Sequence, residues 1–156
     1  MLSKNAQYIQ DFLKRKGIET KVIELPDSTR TAEEAAKAIG CQVAQIVKSL
    51  IFKTKTTNRP ILVLASGANR VSPEKIAAAC KEEIVKADAD FTREATGFAI
   101  GGIPPVGHAN KLETFIDEDL LKLQELWAAA GTPHAVFNLD SSHLVNLTGG
   151  KVLAIK

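Results

Sequence analysis

Two features of the sequence could together form a chemical site: a lysine inside an apolar run and a later segment rich in glycine and proline. Lys48 lies in the run 46–52, Ile-Val-Lys-Ser-Leu-Ile-Phe, where a charge costs free energy unless something compensates it. Segment 101–108, Gly-Gly-Ile-Pro-Pro-Val-Gly-His, combines glycines that permit unusual backbone conformations with prolines that stiffen the chain. An ammonium beside a loop of free N–H groups would suit an anion or a developing oxyanion.

Each feature also has a purely structural explanation. The stem of Lys48 could pack in the core while its amine reaches water, and segment 101–108 could be a tight connection between strands. The segment is not a phosphate-binding P-loop, because no Gly-Lys-Ser/Thr follows it, and its spacing is not that of a dinucleotide fingerprint. These residues alone leave the structural and functional interpretations open.

The histidines and cysteines add little to this candidate site. His108, His134 and His143 lie in no recognisable triad pattern. His108 closes the glycine/proline segment and is the one that we most expect to contact a ligand. His134 follows a turn and could reach a cleft. Cys41 and Cys80 form no CxxC pair, so we expect reduced thiols, with no metal site and no cofactor.

Composition predicts one ordinary globular domain over residues 1–156. Charged residues make up 24% and hydrophobic residues 45% of the chain, no apolar run is long enough to span a bilayer, and the N-terminus does not resemble a signal peptide. We therefore expect a cytoplasmic protein with no membrane partner. A net charge of +2 does not by itself indicate nucleic-acid binding, and we expect no DNA partner, although Lys53, Lys55 and Arg59 form a local basic group.

The elements that must position these residues alternate between helices and strands, which predicts an α/β fold. Runs 45–54 and 60–66 predict an antiparallel hairpin with Lys48 in a central strand. Stretch 120–130 is ambiguous, because Leu and Ala favour a helix but 126–130 could equally be extended. The remaining predicted helices are 3–16, 31–40, 72–80, 90–97 and short ones after 117 and 140; the remaining predicted strands are 20–25, 83–87, 98–100, 114–116, 135–139 and 152–155.

Several segments, in this order, resemble the YbaK-type family, whose domain also occurs in or beside prolyl-tRNA synthetases. The matching segments run nearly from end to end, and the lysine strand and the Gly-x-x-x-Pro loop, here 101–105, are the specific ones. They are 28–36 (Ser-Thr-Arg-Thr-Ala-Glu-Glu-Ala-Ala) with Ile39-Gly40, strand 46–52, loop 101–108, segment 127–137 and the ending Leu147-Thr148-Gly149-Gly150.

The resemblance implies a single compact α/β domain with a mixed, mostly antiparallel central sheet flanked by helices. It implies a freestanding, metal-independent deacylase that hydrolyses the ester of a mischarged tRNA, usually tRNA for proline. In this family the strand lysine, here Lys48, holds the terminal adenosine or orients the ester. The loop glycine, here Gly101, polarises the ester carbonyl through its backbone, and water is the nucleophile.

The resemblance also predicts that 126–130 is a strand lining the aminoacyl pocket and paired with 136–139. Family members that act on cysteinyl esters carry a serine where Ala129 aligns and a tyrosine near Val22, so the apolar residues here favour a small apolar amino acid such as alanine or 2-aminobutyrate. The further candidate substrate-binding residues are Ser49, Gly102, Ile103, Pro105, Gly107, His108, Ala129, Gly131 and His134.

The expected partner is the acceptor end of an aminoacyl-tRNA, with Lys53, Lys55 and Arg59 as candidate phosphate contacts and prolyl-tRNA synthetase as a possible second partner. The alternative is a non-catalytic module of the same fold that binds tRNA or a synthetase. The retained Lys48 and the intact loop from Gly101 to Pro105 favour the enzyme, because a site that had lost its activity would not need them.

Overall fold

The computed structural model describes all 156 residues and places eight strands in one mixed sheet. The strands are β1 (Ile23–Glu24), β2 (Ile46–Thr54), β3 (Pro60–Ser66), β4 (Ile84–Lys86), β5 (Glu113–Asp117), β6 (Glu125–Ala129), β7 (Ala135–Asp140) and β8 (Lys151–Leu153). Their order is β1-β7-β6-β2-β3-β5-β8, with β4 also paired to β2. Four of the seven pairings are antiparallel, which confirms the predicted mixed, mostly antiparallel sheet.

Five α-helices flank the sheet: α1 (Lys4–Arg15), α2 (Ala32–Ile39), α3 (Pro73–Cys80), α4 (Ala89–Thr96) and α5 (Leu144–Thr148). Helix α2 shows how the sequence sets these boundaries. The Thr31 side chain accepts a hydrogen bond from the Glu34 N–H, and Gly40 ends the helix in the left-handed conformation, as the capping pattern predicted. Single 3₁₀ turns occupy Val43–Gln45, Glu118–Lys122 and Ser141–His143. No helix is both long enough and apolar enough to span a membrane.

Strand β2 is buried on both faces, as its sequence predicted. Val47 and Ile51 belong to the main core cluster of 23 buried residues on one side of the sheet. On the other side, Ile46 belongs to a small cluster with α2, and Leu50 and Phe52 pack against a cluster of seven buried residues. Lys48 therefore lies in a strand that is covered by buried residues on both faces of the sheet.

The ambiguous stretch is a strand, and the pairing implied by the family resemblance is confirmed. Strand β6 pairs antiparallel with β7, with Leu126 opposite Leu139 and Ala129 opposite Val136. Leu126 is fully buried, so the tertiary environment outweighs the helix propensity of Leu and Ala in this stretch.

Several predicted boundaries differ from the structure. Residues 98–100 form no strand, because the Ala99 carbonyl accepts a hydrogen bond from the Gly102 N–H and turns the chain. Helix α4 begins earlier than predicted, with Asp88 rather than Asp90 as its N-terminal cap. The predicted strand 20–25 is reduced to Ile23–Glu24, and the terminal strand is Lys151–Leu153.

Candidate functional site

The sheet is interrupted beside the middle of β2, and the candidate site lies at this interruption. Strand β3 pairs with β2 along one side from Val47 to Lys53. On the other side, β6 pairs only with Ile46 and Val47, and β4 pairs only with residues 52–54. Residues 48–51 therefore have a paired strand on one side only, so a ligand can approach the edge of a central strand.

A cleft of about 280 Å³ opens at this interruption, and we call it the Lys48 cleft. The start of α2, strands β2 and β6 and the turn at Gly101 surround it. Among its lining residues are Thr29, Arg30, Lys48, Ser49, Gly101 and Ala129. A second cavity of about 450 Å³ shares Lys48, Ser49 and Ile103 with this cleft and extends to Asn69, Arg70 and Lys86; we call it the Arg70 cavity.

The ammonium of Lys48 lies between these two cavities without a carboxylate partner. Its Nζ donates one hydrogen bond, of 2.6 Å, to the backbone carbonyl of Asn69, and it forms no ion pair. Burial lowers the pKa of Lys48, and nearby Arg70 lowers it further, whereas Glu33 and Asp117 oppose the shift. An ammonium carries three donors, so two N–H groups remain available to a ligand.

Ser49 adds an unsatisfied hydroxyl to the same cleft. Its Oγ atom is buried and has no hydrogen-bond partner in the chain, although Ser49 lines both cavities. A buried polar atom without a partner costs about 1–3 kcal/mol, so such atoms are uncommon unless a ligand or water satisfies them.

The loop at Gly101 has the backbone features that its sequence predicted. Gly101 has a φ of +96°, and a Cβ atom at this position would lie 2.5 Å from Cγ of Arg30. The N–H groups of Gly101 and Ile103 donate to no acceptor in the chain, whereas the Gly102 N–H closes the turn to Ala99. Ile103 is only 6% exposed, so its unpaired N–H needs a partner from outside the chain, such as a ligand or a water molecule.

The predicted substrate-binding residues divide into two groups. Lys48, Ser49, Gly101, Ile103 and Ala129 line the Lys48 cleft. The others do not: Gly102 packs against the backbone of Thr132, Gly131 is buried against Asn5, and Pro105, Gly107 and His108 line a separate groove beside α1.

Neither histidine candidate lies in the Lys48 cleft. The Nε2–H of His108 donates to the Pro104 carbonyl at 2.7 Å, and burial lowers the pKa of His108, with the Pro104 hydrogen bond opposing the shift. His134 is exposed, and its Nδ1 lies 3.1 Å from the Asp27 carbonyl oxygen. Each ring therefore contacts the backbone carbonyl of a residue that does not line the Lys48 cleft.

The predicted phosphate contacts lie on the hairpin of β2 and β3, and two of the three already have partners. Arg59 forms ion pairs with Glu82 at 3.0 Å and Glu113 at 2.6 Å, and Lys55 pairs with Glu83 at 3.5 Å. Lys53 has no carboxylate partner, and its Nζ lies 5.5 Å from the Phe91 ring centroid. All three lie outside both cavities.

Sequence reasoning did not assign several residues of the site. Thr29, Arg30 and Glu33 line the Lys48 cleft, and they belong to segment 28–36, which matched the family without a stated role. Asn69 and Arg70 line the Arg70 cavity. No local pattern marks these last two residues, because they follow β3 and come beside Lys48 only through the β2–β3 pairing.

Comparisons with known proteins assign the family. The model of the aminoacyl-tRNA editing domain matches residues 26–147, a range that includes both Lys48 and the Gly101 loop. The chain belongs to the aminoacyl-tRNA editing domain family. A solved structure provisionally described as a trans-editing enzyme for prolyl tRNA synthetase is 46% identical, with a TM-score of 0.93, over 100% of this chain and 99% of that one.

Two curated relatives show the settings in which this editing domain occurs. The uncharacterized protein YwhH of Bacillus subtilis is 29% identical over 86% of this chain and 85% of its own length. The proline–tRNA ligase of Limosilactobacillus fermentum is 28% identical over 74% of this chain. The match covers only 20% of that ligase, so its activity as a whole does not transfer to this chain.

Proposed function

We propose that this editing domain acts in trans as a deacylase that hydrolyses the ester of tRNA for proline carrying a small apolar amino acid, alanine or 2-aminobutyrate. The observation that carries the proposal is that Lys48, Ser49 and Gly101 line one cleft and keep hydrogen-bond donors that the chain does not use. These donors are the two remaining N–H groups of the Lys48 ammonium, the hydroxyl of Ser49 and the N–H of Gly101. The similarity to a trans-editing enzyme for prolyl tRNA synthetase supports action in trans.

The proposed reaction needs positioning and charge stabilisation rather than a strong base. Water attacks the carbonyl carbon of the ester, and the backbone N–H of Gly101 stabilises the oxyanion that develops. The carbon–oxygen bond to the terminal ribose then breaks, a proton passes from the attacking water to the ribose oxygen, and the free amino acid is released. One oxyanion donor contributes on the order of 10²–10³ in rate, and Lys48 orients the terminal adenosine or the ester.

The walls of the Lys48 cleft support a small apolar aminoacyl group. Ala129 and Val136, paired across β6 and β7, line the cleft together with Ala35 and Ile46. These four side chains offer no hydrogen bond to a thiol or hydroxyl, and the polar lining residues Thr29, Arg30 and Ser49 remain for the ester and the ribose. A synthetase discriminates poorly between small apolar side chains, since one methylene is worth about 1–3 kcal/mol, and a second site of this kind supplies the missing selectivity.

Unpaired cations at the rim of the site suit the phosphates of the acceptor end. Arg70 and Lys86 line the Arg70 cavity and form no ion pair. Lys53, Lys55 and Arg59 remain proposed contacts further along the hairpin. We expect Lys55 and Arg59 to contribute less, because glutamates already neutralise them.

The decisive experiment charges tRNA for proline separately with alanine, 2-aminobutyrate, cysteine, serine and proline, and measures ester loss. We expect wild type to hydrolyse the alanyl or 2-aminobutyryl ester and to spare the prolyl ester. Lys48→Ala should abolish this activity while keeping the circular dichroism spectrum of the native fold. EDTA should leave the rate unchanged, because the proposed chemistry uses only groups of the chain and water.

Two results would contradict the proposal. Full activity in Lys48→Ala would show that the site is assigned wrongly. Stability of all five esters in the presence of wild type, together with measurable binding of tRNA, would favour the non-catalytic binding module.

A further inference from the structure

A short turn after β3, rather than an ion pair, holds the ammonium of Lys48. The turn runs from Ser66 to Asn69 and is closed by a hydrogen bond of 2.9 Å from the Asn69 N–H to the Ser66 carbonyl. Its last carbonyl, that of Asn69, accepts the 2.6 Å hydrogen bond from Lys48 Nζ. The position of the ammonium therefore depends on the position of this carbonyl.

Two aspartates fix the turn through the side chain of Asn69. The Asn69 Nδ2 group donates to Asp117 Oδ2 and to Asp119 Oδ2, at 2.8 Å each. Both of its N–H donors are thus used by charged acceptors, which form stronger hydrogen bonds than neutral ones.

Asp117 is the buried end of this network. It is 1% exposed, and its Oδ2 atom also accepts the N–H of Ser66 at 3.0 Å, while its Oδ1 atom accepts the N–H of Asp119 at 2.9 Å. The carboxylate thus holds the first and the last residue of the turn. A buried carboxylate that accepts three hydrogen bonds is a rigid support, because removing a partner leaves a buried charge less well satisfied.

The middle of the turn packs closely against the start of α2 and the 3₁₀ turn at Val43. A Cβ atom at Gly67 would contact the Val43 carbonyl oxygen and lie 2.9 Å from the Ala32 Cβ atom. This packing covers one side of the turn, and the two aspartates hold the turn through Ser66 and Asn69.

We propose that Asn69, held by Asp117 and Asp119, is a positioning residue that keeps the Lys48 ammonium inside the cleft through the Asn69 carbonyl. Without this anchor the long lysine stem would carry its charge towards water, where ammonium groups are better solvated. The charged groups around Lys48 are Glu33 on α2, Asp117 on β5, Lys86 on β4 and Arg70 after the turn. The mechanistic part of this inference rests on the proposed deacylase function, but the holding of Lys48 does not.

The first test measures the ionisation of Lys48 directly by NMR titration of protein labelled at the lysine side chains, with Lys48→Met used to assign the signal. In Asn69→Ala, release of the ammonium to water should raise the pKa of Lys48 towards its ordinary value, because burial is the largest cause of its present lowering. An identical Lys48 titration in wild type and Asn69→Ala would overturn the inference.

The second test measures deacylation. Asn69→Ala should lower kcat/KM by about 10- to 100-fold, as expected for a misplaced catalytic group. The matched control is Asn110→Ala, which also removes two amide hydrogen bonds, those from Nδ2 to the carbonyls of Glu94 and Ala95, but lies outside both cavities. An equal loss of activity in Asn110→Ala would overturn the inference.

Two provisions keep the tests decisive. If Asn69→Ala does not fold, Asp119→Asn is the second variant, because it weakens the same anchor at a more exposed residue. Asp119→Asn should also raise the pKa of Lys48. An unchanged Lys48 titration in this variant would overturn the inference. If wild type hydrolyses none of the esters, the proposed function fails, yet the NMR titration still decides whether Asn69 holds Lys48.

Discussion

Lys48 carries a charge at a half-buried position, and burial opposes that charge. Burial lowers its pKa, which means that the folded state holds the proton less tightly than the unfolded state does. The free energy of unfolding should therefore rise as the pH increases through the lowered pKa towards the ordinary value. At neutral pH the charge is a cost to the fold, and a costly charge retained in a cleft indicates function.

Lys48→Met tests this cost, because it keeps the packing of the stem and removes the charge. We expect the free energy of unfolding at neutral pH to stay the same or to rise by up to about 1 kcal/mol, while deacylation is lost. The stability advantage should shrink at alkaline pH, where the wild-type amine is neutral. Urea unfolding at neutral and at alkaline pH measures the free energy of unfolding of wild type and Lys48→Met. Lys21→Met, at an exposed loop residue, is the control. A loss of about 2 kcal/mol or more would show instead that Lys48 stabilises the fold.

At the scale of elements, the Gly101 turn contributes backbone geometry that no side chain can supply. Gly101 and Gly17 both have positive φ, but only at Gly101 would a Cβ atom meet a neighbour, the Arg30 side chain. A comparison of alanine substitutions at the two glycines therefore distinguishes the effect of backbone strain from a local effect on the cleft.

Gly101→Ala and Gly17→Ala should each lose about 1 kcal/mol of stability from the left-handed backbone. Gly101→Ala should also lose about 10- to 100-fold in kcat/KM, because it displaces Arg30 and the backbone N–H that we propose stabilises the oxyanion. Gly17→Ala should keep its wild-type activity. Deacylation and urea unfolding are measured for both variants. Equal deacylation activities would show that Gly101 has no role in the site.

The sequence was sufficient to predict elements whose signals are local. The Thr31 cap, the β2–β3 hairpin and the buried lysine strand follow from residue types and spacing. The 98–100 strand was predicted wrongly because its three apolar residues belong to a turn, in which Phe98 is buried in the main cluster whereas Ala99 and Ile100 are exposed. Strand β6 needed the family resemblance, since its composition favours a helix.

Contacts between distant elements could not be predicted in this way. Asn69 and Asp117 come together only because β3 pairs in parallel with β5, and neither residue belongs to a recognisable motif. The position of His108 could not be predicted for the same reason. Gly101 and Ile103 line the Lys48 cleft, whereas Pro105, Gly107 and His108 line a separate groove.

At the scale of the whole molecule, a net charge of +2 means that tRNA binding must depend on where unpaired cations lie. Arg70 lines a cavity that opens at Lys48 and has no carboxylate partner, whereas Arg59 forms ion pairs with two glutamates at 2.6 and 3.0 Å. Both arginines are exposed, and Arg59 precedes β3 whereas Arg70 follows it. Alanine substitutions at these two residues therefore form a matched pair that shows which arginine contacts a phosphate.

Binding of tRNA to wild type should weaken steeply between about 50 and about 200 mM salt, because each phosphate contact releases counterions. Arg70→Ala should weaken binding and reduce the slope of log affinity against log salt by about 1, the amount expected for one lost phosphate contact. Arg59→Ala should reduce that slope by clearly less than Arg70→Ala does, and should cost at most about 1 kcal/mol of stability through its surface ion pairs. A flat salt dependence in wild type, or an equal change of slope in both variants, would contradict the assignment of the acceptor end to the Arg70 cavity.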